Sequence, residues 1–191
     1  MIRSLAALCL FVGLSAQVVA EYSWWGVSGA GVMGQVSHGL VSESKKHLYP
    51  GVKIQIGRAF SLGRRTGLSV GLDGLLLSGT GDSAGGQTSL KYGLGVNLYP
   101  WYQVSPHMTV WLSTGLASSR VNFTYAQATD KLDLSGALVG FGASWHIQRN
   151  AAIVLNMHYA GLKKKSVVRS GASHNYQMNQ SLLALGYAKF F

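Results

Sequence analysis

Apolar residues recur at every second position along most of this sequence. Val52, Ile54 and Ile56 alternate with Lys53, Gln55 and Gly57. Leu68, Val70 and Leu72 alternate with Ser69, Gly71 and Asp73, and Leu90, Tyr92, Leu94, Val96 and Leu98 with Lys91, Gly93, Gly95 and Asn97. The pattern returns at Met108, Val110, Leu112 and Leu116, at Ala137 to Trp145, at Ile153 to Tyr159, and at Leu183, Leu185, Tyr187 and Phe191. A period of two puts alternate side chains on opposite faces of a β-strand. A Gly-rich segment, 22–36, makes an eighth strand whose phase alternation alone does not fix.

The face opposite the apolar one decides what these strands build. A soluble sandwich exposes Lys, Glu, Thr and Arg there. Here it holds Gly, Ser, Asn, Gln and Ala, in a chain with 25 glycines and only 12% charged residues. Small polar side chains suit the crowded inside of a narrow barrel, and the apolar face is then left for lipid. Past residue 20 no apolar run approaches the ~20 residues of a spanning helix, and no heptad pattern supports a coiled coil. With 48% hydrophobic residues the chain is not a disordered one. A closed barrel is the sheet a bilayer accepts, because it leaves no unpaired edge.

The expected fold is therefore all-β, an eight-stranded antiparallel up-and-down transmembrane β-barrel. The segments left between strands, 37–49, 61–66, 78–87, 100–107, 120–131, 147–150 and 162–175, alternate long and short, as external loops and periplasmic turns do. Tyr99, Trp101 and Tyr102 beside the second short turn, with Trp145, Tyr187, Phe190 and Phe191 near strand ends, are expected to form an interfacial girdle.

Residues 1–20 read as a cleaved signal peptide. Arg3 precedes an apolar run from Leu5 to Leu14, and Val18 and Ala20 fit a cleavage site. Residues 21–191 are then the barrel domain, exported to the bacterial outer membrane. Cys9 is the one cysteine and lies in the leader. The barrel is expected to hold without disulfides and to have no thiolate metal site.

Phase assigns an interior polar plug of Lys53, Asp73, Lys91, Asn156 and His158, with Gln55, Asn97 and Gln180 on the same face. Buried charges must pair, so a closed interior is expected rather than a wide pore. Much of the +10 net charge is expected in the external loops. Lys163, Lys164, Lys165 and Arg169 crowd the last one, and Lys45 and Lys46 the first. They form a candidate polyanion-binding face for lipopolysaccharide phosphates or host and surface polyanions. Nucleic acid is not expected as a partner, because the basic residues lack interleaved aromatic platforms. No catalytic, metal or cofactor site is expected. The six histidines are scattered, and the Gly-rich runs do not open a helix.

Leu183, Leu185, Tyr187 and the terminal Phe191 resemble the C-terminal signature of bacterial outer-membrane proteins, which the barrel-assembly machinery recognises. Lys189 departs from it, standing where an aromatic or apolar residue is preferred. Val139 to Ala143, with His158 and Tyr159, resembles the penultimate hairpin of small OmpA/OmpX-type and opacity-type barrels. That resemblance implies a structural, adhesive or surface-interacting protein among outer-membrane lipids, with a narrow porin as the alternative. His158 to Leu162 also resembles the catalytic strand of the PagL-like lipid A deacylases, which use His, Ser and Glu. Here Ala160 replaces the serine, and no glutamate follows Glu43.

Overall fold

The computed structural model describes residues 21–38, 46–83, 86–125, 128–169 and 172–191. The expected leader lies outside the described residues. The strands are β1 (Glu21–His38), β2 (Lys46–Ser61), β3 (Thr66–Leu77), β4 (Thr80–Ser83), β5 (Gly86–Ser105), β6 (Met108–Tyr125), β7 (Ala128–Gln148), β8 (Ala151–Arg169) and β9 (Ala172–Phe190). All pairings are antiparallel, between chain neighbours except where β3 pairs with β5, and β1 closes the ring on β9. Strands β3 and β4 both pair with β5 and share one position, so the ring has eight staves. Their junction turns at Gly79, whose φ of 110° favours a residue without a Cβ. There the Ser78 amide donates to the Pro50 carbonyl at 2.9 Å.

Alternation sorts the side chains as lipid requires. Val27, Ile54, Leu72, Leu94, Leu116, Phe141 and Leu185 point outward and are exposed on the isolated chain, while Ser28, Gln55, Ser69, Asn97, Ser113, Ser144 and Asn156 are buried within. The phase of β1 is now fixed: Val27 and Met33 face out, Ser28 and Val32 face in.

The structure corrects the sequence reading in three places. First, the strands are long. Strand β5 has 20 residues and β7 has 21. At ~3.3 Å per residue such a strand far exceeds the ~25 Å apolar band. Segments assigned to connections, notably 120–131 and 162–175, are mostly strand, with Lys163, Lys164, Lys165 and Arg169 in β8. Ladder hydrogen bonds need no apolar side chain, so pairing continues after the alternation fades.

Second, Lys91 is not an interior residue. The register between β5 and β6 shifts between Leu90 and Tyr92, which leaves Lys91 as the extra residue of a β-bulge. Because of the bulge Leu90 is fully buried, while Lys91 is exposed on the outer wall. The break between β3 and β4 lies alongside, since Leu76 pairs with Tyr92 and Thr80 with Ser89.

Third, part of the expected girdle is internal. Trp25, Tyr102, Trp145 and Tyr187 face outward, but Tyr99 is buried, edge-on to Trp24 with ring centroids 5.9 Å apart. Trp101 and Trp111 pair with each other across β5 and β6. Each lies over a glycine of the next strand, Gly67 and Gly142, where any Cβ would strike the indole.

Candidate functional site

The polar middle of the barrel converges on one carboxylate. Asp73 of β3 accepts from the Lys53 ammonium of β2 at 3.0 Å and from Asn97 Nδ2 of β5 at 2.9 Å, both on Oδ2. Its Oδ1 accepts from the Tyr99 hydroxyl at 2.8 Å and from Gln55 Nε2 at 3.1 Å. Strand β8 supplies the far side. His158 Nδ1 lies 3.3 Å from Lys53 Nζ, and Asn156 Nδ2 donates to Gln55 Oε1 at 3.2 Å. With Nδ1 accepting from the ammonium, the ring proton of His158 sits on Nε2.

Lys53 is 2% exposed and Asp73 7%. Taking both charges out of water is expensive, and the pair persists only with further hydrogen bonds to the remaining lone pairs. Asn97, Tyr99 and Gln55 provide them.

Of the residues assigned to the interior, the structure brings Lys53, Asp73 and His158 into direct contact, joins Asn156 through Gln55, and leaves Lys91 outside. Gln180 stands apart, accepting from Ser119 Oγ at 3.3 Å. Sequence reasoning missed Tyr99 as a member. The signal was its parity: Asn97, Tyr99 and Trp101 share a face.

Toward the loop end the interior turns apolar. Val32, Tyr49, Leu90, Phe123, Leu134 and Met178 are buried there in one cluster, and the Phe123 and Tyr176 rings meet at 4.9 Å. Alternation does not reveal this stopper, because Phe123 falls in a segment that reads as a connection and regular alternation gives Leu90 outward phase. Toward the termini the lumen opens into a vestibule lined by Trp24, Tyr99, Trp101, Trp111 and His146, with a cavity of about 70 Å³. A second cavity, of about 50 Å³, lies beside Lys53, Asp73 and His158. Each has room for a few waters.

At the loop end Lys46 and Lys163 are exposed. Lys164 pairs with Tyr176 and Arg169 with Ala172, so the basic segment continues the β8–β9 hairpin, with a register shift between Lys164 and Val167. Lys45 lies outside the described residues. On β9, Leu183, Leu185 and Tyr187 all face outward. Phe191 follows, its amide donating to the Ser23 carbonyl at 2.9 Å and its carbonyl accepting from the Ser23 amide at 3.2 Å.

These features define a small transmembrane β-barrel with a filled interior. No protein-family profile matches the chain, and no curated protein sequence matches it. Solved structures do. Ail, the attachment invasion locus protein of Yersinia pestis, superposes with a TM-score of 0.56 at 11% identity, over 88% of this chain and 98% of Ail. The outer membrane protein OprG of Pseudomonas aeruginosa gives 0.55 at 10% identity, over 90% and 96%. A major outer membrane protein of Thermus thermophilus gives 0.54 at 12% identity, over 89% and 99%. The chain has the fold of small outer-membrane β-barrel proteins, which supports an outer-membrane location.

Proposed function

We propose that this protein is a closed outer-membrane barrel that acts at the cell surface, by contact of its basic loop-end rim with polyanions. The filled interior is the observation that supports this reading. Buried Lys53, paired with Asp73, meets His158 of β8 across the lumen, and an apolar cluster lies above them. The described residues leave no wide path for solute, so function falls to the outer surface, where Lys46 and Lys163 are exposed and Lys164, Lys165 and Arg169 continue β8. One barrel of the same fold, Ail, has been solved in complex with the heparin analogue sucrose octasulfate. Enzymatic action on lipid A has less support, because His158 is buried against Lys53 and not presented to lipid.

Two measurements test the reading. In planar bilayers the protein is expected to show no steady large conductance, and steady channels would replace this reading with a narrow porin. Heparin binding is expected to weaken, with a flatter salt dependence, when Lys164, Lys165 and Arg169 are all changed to Gln. Unchanged binding would remove the polyanion reading.

A further inference from the structure

The bulge that expels Lys91 from the interior places it on the lipid-facing wall, among other cations. Lys91 on β5, Arg120 on β6, Lys131 on β7 and Lys163 on β8 all lie on outward positions of four consecutive staves. Tyr92 pairs with Arg120 and Arg120 with Asp133, while Lys131 lies two residues along from Asp133 and Lys163 opposite Ser135. At ~4.8 Å between strands the group is about 15 Å wide.

Arg120 is held in place. Its guanidinium donates twice to the Asp133 carboxylate at 2.7 Å and stacks over Tyr92, 5.1 Å from the ring centroid. The patch ends at β8. On β9, at the same register, stand the uncharged Gln177, Asn179 and Ser181.

Depth decides what this patch meets. Leu94 lies two residues from Tyr92 on β5, and Leu116 four residues from Arg120 on β6, both strongly exposed and outward. At ~3.3 Å per residue Lys91, Arg120 and Lys163 stand about 10–13 Å along their strands beyond Leu94, Leu116 and Tyr159, which is headgroup depth, and Lys131, eight residues from Val139, stands further out. An amphiphile that sets acyl chains against Leu94 and Leu116 therefore puts its headgroup among three lysines and an arginine with one carboxylate. Ammonium and guanidinium groups so arranged select phosphate.

The geometry points to a binding site for a phosphate-bearing membrane lipid on the outer wall of β5 to β8, made by Lys91, Arg120, Lys131 and Lys163. The site rests on the outer-membrane surface reading above but uses the wall, sharing Lys163 alone with the rim. It gives the bulge at Lys91 a purpose: without it, regular alternation leaves that wall one cation short.

The test uses the folded full-length barrel in detergent, with lipid A as probe and native mass spectrometry as readout. The wild type is expected to retain lipid A. The triple variant K91Q/K131Q/K163Q is expected to retain it on the order of a hundredfold less well, each cation beside an anionic lipid surface contributing about fivefold. The charge-keeping variant K91R/K131R/K163R restores retention, which separates charge from folding. Dephosphorylated lipid A binds both forms equally poorly, and inorganic phosphate alone is not retained. Equal retention of lipid A by the wild type and the glutamine variant overturns the site, as does wild-type retention of the dephosphorylated lipid. Heparin binding by the same variants separates the two ideas: if lipid A retention is unchanged by K91Q/K131Q/K163Q while heparin binding is lost on changing Lys164, Lys165 and Arg169, the wall site falls and the rim reading stands.

Discussion

Asp73 is the residue on which the interior depends most, because four side chains donate to its two oxygens. Its loss and the loss of Lys53 are therefore unequal. Changing Asp73 to Leu leaves a buried ammonium without its counter-charge and strips an acceptor from Gln55, Asn97 and Tyr99. Such a break costs about 3–5 kcal/mol. Changing Lys53 to Met leaves the carboxylate with three neutral donors, a milder loss of about 1–3 kcal/mol. Urea unfolding in lipid vesicles, followed by tryptophan fluorescence, is expected to rank the stabilities wild type, Lys53→Met, Asp73→Leu. The reverse order would mean that Asp73 is not the organising group. Most of this cluster was legible from parity, since Lys53, Gln55, Asp73, Asn97, Asn156 and His158 all alternate with outward apolar neighbours. Tyr99 was not, because an aromatic beside a turn suits an interfacial girdle as well as a lumen.

Strand β5 shows where alternation stops being a guide. From Leu94 to Leu98 the pattern reads correctly, because each outward residue is apolar and each inward one is Gly or Asn. Across Leu90, Lys91 and Tyr92 the same reading inverts both Leu90 and Lys91. A bulge shifts phase by one residue and leaves no mark in composition. The bulge predicts an asymmetry between deletions. Removing Lys91 takes out the extra residue, so Leu90 stays inward and Tyr92 outward, and the barrel is expected to fold. Removing Asn97, in regular strand, throws one side of β5 onto the wrong face and is expected to abolish folding. Heat-modifiable gel mobility reports both outcomes, and a folded Asn97 deletion would contradict the assigned phase. The long hairpins were hidden for a related reason. Above the apolar band the outward residues are Lys, Asp and Ser, and a polar strand reads as a loop although its backbone still pairs.

At the scale of the molecule, period two in a charge-poor, Gly-rich chain was enough to specify a closed eight-stave ring, because few other folds let so many apolar residues face away from the core. What fills the ring was less legible, since its polar half follows the parity of the alternating segments while much of its apolar half, Tyr49 and Phe123 among it, lies where alternation had faded, and Leu90 is turned inward by the bulge. Among the described residues, the stopper of Tyr49, Leu90, Phe123 and Met178 at one end and the vestibule of Trp101, Trp111 and His146 at the other make the lumen a blind well that opens beside the chain termini. Such a well has a sidedness that labelling can read. The chain from residue 21 onward has no cysteine, so a Ser144→Cys probe in the vestibule would be the single thiol of the folded barrel. A membrane-impermeant maleimide is expected to modify it from the side of the termini and to leave it untouched from the side of the loops. Equal labelling from both sides would mean that the stopper leaks.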